Sequence, residues 1–126
     1  MITTQIKTNL SVVQSNGRNE ITADVSTALG GNDSGLTPHE LLEASLGACT
    51  TITVMMYSKR KQWPVTDVVT TVNIVSEKGE INEIYREISF KGKFTEVHVS
   101  KLLEIANKCP MHIFLGKKSV ITTKVV

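Results

Sequence analysis

One helix-forming segment in the first half of the sequence constrains the fold more than any other feature. Thr37 stands where an N-cap is expected, Pro38 occupies the first helical position, and Glu40 completes a capping box. The pattern predicts a helix that runs to about Gln62. Residues 41–56 are apolar or small on almost every side of this helix, which predicts that it is buried all round.

The length of the chain limits how such a helix can be covered. The sequence has 126 residues, enough for one domain over residues 1–126 and too few for two. A domain of this size rarely surrounds a whole helix, and the small residues of 44–48 allow another backbone to approach closely. We therefore expect a homodimer in which the partner subunit supplies one wall of the helix.

The remaining pattern predicts strands on both sides of the central helix. Val, Ile and Thr make up nearly a third of the chain, and these β-branched residues favour sheets. Asn16-Gly17 is typical of a hairpin turn, and residues 30–35 read as a flexible loop. The predicted strands cover 2–12, 21–25, 68–75, 84–90 and 119–126, and a second helix covers 97–108. The order ββαββαβ predicts an α+β fold with two helices against largely antiparallel strands.

Charge and composition argue against several classes of protein. The net charge is +2 with acids and bases mixed along the chain, and only six residues are aromatic, so nucleic-acid binding is not expected. The longest uncharged run, 44–58, is shorter than the roughly 20 apolar residues that span a bilayer. Residues 1–8 lack the apolar core of a secretory signal. We expect a cytoplasmic protein that does not bind membranes.

The two cysteines are the candidates for chemistry, and their local sequence leaves both of their roles open. Without a secretory signal they are not expected to form a structural disulfide. Cys49 lies in the middle of the predicted helix, where a free thiol is more often an inert core residue than a reactive one. Cys109 follows the second helix, whose dipole opposes a thiolate there, whereas the neighbouring Lys108 favours one.

Metal binding and other common catalytic motifs find little support. Among the two cysteines and three histidines, only Cys109 and His112 lie close in sequence, so we expect no zinc site. There is no glycine-rich phosphate loop and no nucleophile elbow. Arg18 follows the Asn-Gly turn, where an arginine is usually solvated, and Glu40 is explained by helix capping alone.

Three short motifs together resemble the OsmC/Ohr family, the osmotically inducible and organic hydroperoxide resistance proteins. Residues 37–49 resemble the central helix of that family up to its first cysteine. Residues 109–112, Cys-Pro-Met-His, are similar to its second cysteine motif, and 16–19 match the turn that carries its arginine. Each motif is weak alone, but their order and the strand pattern between them extend the resemblance over nearly the whole chain.

The resemblance implies an intertwined homodimer with thiol-dependent peroxidase activity toward organic hydroperoxides. In that family pattern Cys49 is the peroxidatic thiol, which becomes a sulfenic acid, and Cys109 is the resolving thiol that closes a disulfide. An external dithiol then reduces the disulfide, and no metal or organic cofactor is needed. Because burial raises the pKa of a thiol, Cys49 needs a nearby cation, and the resemblance assigns that role to Arg18.

One position departs from the family pattern, and it leaves a second function open. Where the family has a glutamate that orients the arginine, this chain has His39, with Glu40 one residue later. One residue turns a side chain by about 100° around a helix, so Glu40 is not a simple replacement. Either His39 takes a modified role, or Glu40 or Glu43 reaches the arginine differently, or Arg18 is held in another way. The alternative to a peroxidase is a non-catalytic OsmC-like dimer that binds a small apolar or thiol-reactive molecule, or a plain interaction module.

Overall fold

A computed structural model describes all residues from Met1 to Val126. Its elements are β1 (Thr3–Thr8), β2 (Ser11–Ser15), β3 (Glu20–Ala23), α1 (Pro38–Lys61), β4 (Val65–Ser76), β5 (Glu83–Gly92), α2 (Glu96–Asn107) and α3 (Pro110–Leu115), with a single 3₁₀ turn at Thr27–Leu29. The strands form two antiparallel sheets, one in the order β1-β2-β3 and one of β4 and β5. The predicted α+β class is confirmed, but the order of elements is βββαββαα.

The first predicted strand is two strands. The alternation over residues 2–12 crosses a tight turn between Thr8 and Ser11, where Asn9 adopts a positive φ of 50°. Asn tolerates this conformation better than most residues, and its side-chain amide donates to Gly30 O at 2.7 Å. The prediction was wrong here because residues before and after the turn happen to keep the same period of two. β1 is exposed along its whole length, so it is not half-buried within the chain.

The loop that leads into α1 is organised around one buried carboxylate. The Ser34 hydroxyl donates to Asp24 at 2.6 Å, and the backbone N–H groups of Val25, Asn32 and Ser34 donate to the same side chain. The Ser34 hydroxyl is the main cause of a lowered pKa for Asp24, and burial opposes it. The segment 30–35, predicted to be flexible, is therefore held by specific hydrogen bonds.

The central helix begins and ends as predicted. Glu40 N–H donates to Thr37 Oγ1 at 3.3 Å, and Thr37 N–H donates to Glu40 Oε2 at 2.7 Å, which completes the capping box around Pro38. Gln62 ends the helix in a left-handed conformation. Glu43, one turn further on, accepts a hydrogen bond from the backbone N–H of Ile74 at 2.7 Å and ties α1 to β4.

Within one chain α1 is buried on one face only. Its fully buried positions recur every four residues: Leu46, Thr50, Val54 and Ser58. The positions two residues before each of these lie on the opposite face of the helix. They form an exposed stripe of small and apolar residues: Ala44, Ala48, Ile52 and Met56. Ile52 and Met56 are 57% and 59% exposed. The prediction of burial on every side is therefore not met by a single copy of the chain.

The core lies where the inner face of α1 meets α2 and β4. Val54, Leu102 and Ala106 are completely buried there, and Val68 closes the cluster. α2 lies within one residue of its predicted bounds. The chain then turns at Cys109 and begins a short helix, α3, that the sequence reading missed, although Pro110 at its first position is the same start feature that identified α1.

The predicted final strand is not present in the chain. Residues 117–126 have no helix or strand, and the alternating apolar residues Val120 and Val125 are almost fully exposed. A strand exists only when another strand pairs with it, and no edge of the two sheets pairs with this segment. No helix combines the length and the apolar character that crossing a lipid bilayer requires.

Replacing Leu102 by Ala tests the position of the core. We expect Leu102→Ala to lower the free energy of unfolding by about 2–5 kcal/mol, because a fully buried side chain leaves a cavity. Leu103→Ala is the matched control, since the neighbouring Leu103 is 53% exposed and should cost about 1 kcal/mol or less. Urea unfolding of both variants measures the difference. Equal losses would contradict this core.

Candidate functional site

The two cysteines come together although they lie sixty residues apart in sequence. Cys49 is in the middle of α1, and Cys109 is the residue between α2 and α3. Because α1 packs against both of these helices, the Thr50 hydroxyl lies 3.7 Å from Cys109 Sγ and donates to it. The two thiols are hydrogen-bonding neighbours, and both are free.

The two thiols differ in how much solvent can reach them. Cys109 is completely buried. Cys49 is half-buried, since it lies on α1 between an exposed neighbour, Ala48, and a buried one, Thr50. A small molecule that enters from solvent therefore meets the sulfur of Cys49 before that of Cys109.

Hydrogen-bond donors surround the sulfur of Cys109. Burial alone would raise the pKa of this thiol, but the opposing contacts are stronger and the pKa lies below its usual value. The N–H of His112 donates to the sulfur at 3.4 Å, and Cys49, Thr50 and the N–H of Met111 add to the effect. These donors were not predicted, because they belong to the first turn of α3, a helix that the sequence pattern did not indicate. Lys108, expected to favour a thiolate, donates to Glu104 instead.

The pKa of Cys49 is shifted in the opposite direction. Burial raises it, and the hydrogen bond and repulsion from Cys109 raise it further, while Met111 N–H and the Thr53 hydroxyl only partly compensate. When the pair of thiols loses its first proton, the negative charge is therefore held mainly on Cys109, with Cys49 as the donor. The expected low pKa at Cys49 is not what one chain provides.

The sequence reading missed one residue of the site, Arg86 on β5. Its Nη1 donates to Thr50 Oγ1 at 2.9 Å and to Ala106 O at 3.2 Å, and its Nη2 donates to Asn107 Oδ1 at 2.8 Å. The sequence contains a pattern that could have identified Arg86. Arg86 interrupts an alternating apolar series, Ile84, Ile88 and Phe90, on the inward-facing side of β5, where a charged residue needs a specific partner.

The other predicted site residues lie apart from the thiols in this chain. Arg18 is exposed on the turn between β2 and β3, where its backbone N–H donates to Asn16 Oδ1. His39 Nε2 pairs with Glu77 Oε1 at 3.0 Å on the surface. Glu40 is used by the capping box, whose backbone and hydroxyl contacts at Thr37 lower the pKa of its carboxyl. No group of three or more His, Cys, Asp and Glu side chains is arranged to hold a metal ion.

A groove of about 660 Å³ lies beside Arg86. Its walls are mostly apolar and come from β5, α2 and the end of α3, with Leu46 of α1 at one side. Arg86, Asn107 and His112 are among its polar residues; Arg86 donates to Thr50, and the backbone N–H of His112 donates to Cys109. Neither cysteine lines the groove itself.

Comparison with known proteins points to one family. Residues 30–124 match the family described as OsmC-like protein. An OsmC-like protein from Mycoplasma pneumoniae superposes with a TM-score of 0.78 at 18% identity, over 92% of this chain and 86% of the other. An organic hydroperoxide resistance protein from Elizabethkingia anophelis, crystallised with thiocyanate, superposes with a TM-score of 0.67 at 23% identity, over 90% of this chain and 84% of the other. An organic hydroperoxide resistance protein OsmC from Legionella pneumophila superposes with a TM-score of 0.67 at 18% identity, over 91% of this chain and 87% of the other. No curated protein matches the sequence.

Separate titration of the two thiols tests the electrostatics of the site. In Cys49→Ser we expect the remaining thiol, Cys109, to ionise below the usual range of cysteine, because its amide and hydroxyl donors persist. In Cys109→Ser we expect Cys49 to ionise above that range, because burial persists. Ultraviolet absorbance of the thiolate against pH measures both, with the double variant as the baseline for tyrosine. A lower pKa for Cys49 than for Cys109 would contradict this assignment.

Proposed function

Because the chain belongs to the OsmC-like protein family, we propose that it is a thiol-dependent peroxidase that reduces organic hydroperoxides. The observation that carries this proposal is the pair of contacting free thiols, one accessible and one buried among hydrogen-bond donors. An accessible thiol is suited to meet the oxidant, and a neighbouring thiol is suited to close a disulfide. Two relatives with the same fold carry the name organic hydroperoxide resistance protein, which agrees with this proposal.

The proposed reaction uses both sulfur atoms and no metal. The Cys49 thiolate attacks the distal peroxide oxygen, the O–O bond breaks, and the alkoxide leaves as an alcohol after it takes a proton. Cys49 is thereby oxidised to a sulfenic acid. The Cys109 thiolate then attacks that sulfur, the S–O bond breaks, and a Cys49–Cys109 disulfide forms as hydroxide leaves and takes a proton from solvent. An external dithiol reduces the disulfide by exchange and restores both thiols.

The groove beside Arg86 favours an organic peroxide over hydrogen peroxide. Hydrogen peroxide has no alkyl group to bury, whereas an alkyl or aryl hydroperoxide gains about 0.8 kcal/mol for each CH₂ that the apolar walls remove from water. Arg86 connects the groove to the thiol pair, since it lines the groove and donates to Thr50, the neighbour of Cys49 in sequence.

We also propose that the working unit is a homodimer. The stripe of Ala44, Ala48, Ile52 and Met56 is exposed in one chain, as are β1 and the alternating segment 119–126. A second copy would cover the stripe with its own α1, and its sheet edge would give residues 119–126 the partner strand that one chain lacks. Arg18, His39 and Glu40 lie apart from the thiols of their own chain, so any part they take in catalysis requires this second copy.

Two observations favour the alternative function, a non-catalytic protein that binds a small apolar or thiol-reactive molecule. The pKa of Cys49 is raised by burial, and the only guanidinium near the pair contacts Thr50, on the side of Cys109. The same groove would then hold a ligand without chemistry. Turnover separates the two functions.

Hydroperoxide turnover tests the proposed function directly. With a dithiol reductant present, we expect consumption of cumene hydroperoxide to exceed that of hydrogen peroxide by at least about tenfold, which corresponds to roughly 1.4 kcal/mol of apolar contact. One equivalent of hydroperoxide should give the Cys49–Cys109 disulfide, identified by mass spectrometry of peptides. Cys109→Ser should accumulate a sulfenic acid on Cys49 that a dimedone-type reagent traps, and Cys49→Ser is the inactive control. Oxidation of Cys109 with Cys49 intact would reverse the roles, and absence of turnover would leave the binding function.

A charge on the exposed stripe of α1 tests the dimer. We expect Ile52→Lys to convert the dimer to monomer or to weaken it by at least about a hundredfold, since a lysine in an apolar interface loses its hydration. Ile81→Lys, in the turn between β4 and β5, is the matched control because Ile81 is exposed outside the stripe. Light scattering at micromolar concentration measures the mass. A monomeric unmodified protein would contradict the proposal.

A further inference from the structure

Arg86 is connected to Cys109 by a single hydroxyl group. Arg86 Nη1 donates to Thr50 Oγ1 at 2.9 Å, and the same oxygen donates its own hydrogen to Cys109 Sγ at 3.7 Å. Thr50 is completely buried, so its hydroxyl has no solvent partner and its direction is set by these two contacts. When the arginine occupies one lone pair of the oxygen, the hydroxyl hydrogen is left to point at the sulfur.

We propose that Arg86, acting through Thr50, is the positioning residue that keeps the negative charge of the thiol pair on Cys109. A guanidinium carries a fixed positive charge, and a charged donor polarises the hydroxyl that it contacts. Both effects favour a thiolate at the far end of the chain of hydrogen bonds. This inference rests on the proposed function for its consequence in turnover, but the charge placement itself does not depend on it.

The other charged groups around the pair do not compete for this role. On α2, Lys108 donates to Glu104. On α3, His112 contacts the sulfur through its backbone N–H, and its side chain lines the groove. On α1, the neighbours of Cys49 are uncharged. Within one chain, Arg86 on β5 is therefore the fixed positive charge that reaches the pair through Thr50.

With a thiolate on Cys109 and a thiol on Cys49, the pair holds the one proton that the leaving alkoxide needs and the nucleophile that closes the disulfide. Cys49 passes its proton to Cys109 as it attacks the peroxide, and Cys109 gives that proton to the departing alkoxide, which leaves as the alcohol. Cys109 is then a thiolate again and attacks the sulfenic acid. One thiol, one thiolate and one hydroperoxide thus become one disulfide, one alcohol and one hydroxide ion, so atoms and charge balance.

Titration of Cys109 in a Cys49→Ser background tests the charge placement without any peroxide. We expect Arg86→Gln to raise the pKa of Cys109 by about one unit, the lower end of the effect of a nearby opposite charge. Arg86→Lys should restore part of the shift, because it keeps the charge and loses the fork. Thr50→Val should raise the pKa as Arg86→Gln does, whereas Thr50→Ser, which keeps the hydroxyl, should leave it unchanged. Arg60→Gln, at the exposed end of α1, is the control.

Single-turnover oxidation then tests the consequence in the protein with both cysteines. A rise of one unit lowers the thiolate fraction about tenfold, but a more basic thiolate is also more nucleophilic, so we expect Arg86→Gln to slow disulfide closure about threefold. Sulfenic acid should accumulate for correspondingly longer. Circular dichroism checks that each variant folds. If Arg86→Gln does not fold, the rate of disulfide closure in Thr50→Val tests the same prediction.

The two possible failures are distinguishable. If the unmodified protein does not turn over hydroperoxide but Arg86→Gln still shifts the pKa, the proposed function fails and the charge placement stands. Equal pKa values in Arg86→Gln, Thr50→Val and Arg60→Gln would overturn the charge placement. A shift with Arg18→Gln and none with Arg86→Gln would overturn it as well.

Discussion

The packing of the inner face of α1 against α2 is the interaction on which the rest of the structure depends. Val54 and Leu102 are completely buried in this contact, and burying each such side chain contributes about 1.5–3 kcal/mol. The same face carries Thr50 one turn earlier, so the apolar contact fixes the distance between Thr50 and the end of α2. The chain leaves α2 at Cys109, which is why two cysteines sixty residues apart become neighbours. A polar site is thus positioned by apolar burial.

The site separates two requirements that oppose each other in a single thiol. A thiol that meets the oxidant has to be accessible, whereas a thiolate is best stabilised where donors surround it and water does not compete. Cys109 has the donors and is completely buried, and Cys49 has the exposure. Hydrogen bonds to a charged group contribute about 1.5–3 kcal/mol each, so the donors around Cys109 outweigh its burial. In the proposed reaction, contact between the sulfurs lets a single negative charge act first on Cys109 and then on Cys49.

Local sequence rules predicted α1 and α2 well, missed the short helix α3, and predicted the sheets less well. The capping box at Thr37 and the amphipathic pattern of α2 depend on neighbours within one or two turns, so their bounds were predicted to within a residue. The period of two continued through the turn at Asn9, and residues 119–126 carry the pattern of a strand without a partner in the chain. Strand pairing depends on residues far apart in sequence. The sequence pattern alone does not show which sheet edge, in the same chain or in a second copy, pairs with a given strand.

The candidate site was predicted in part for the same reason. The two cysteines were identified from motifs, and the structure brings them together. Arg86 was missed because its role depends on contacts with α1 and α2, which lie 20 to 36 residues away in sequence. The amides that surround Cys109 were missed because α3 was missed. Arg86 and the amides of α3 reach the thiols only through the packing of elements that are distant in sequence.

In the proposed charge placement, Arg86 is oriented without the glutamate of the family pattern. A carboxylate beside an arginine orients the guanidinium, but it also cancels most of the positive charge that a thiolate would feel. Ala106 O and Asn107 Oδ1 orient Arg86 instead, and both are neutral oxygens. Because the Coulomb interaction in a partly buried site is several times stronger than in water, the uncancelled charge acts effectively over the short path through Thr50. Neutral acceptors at the end of α2 fix the guanidinium, and in the proposed charge placement they leave its charge available to Cys109. Within one chain His39 pairs with Glu77 at the surface, and Glu40 caps α1.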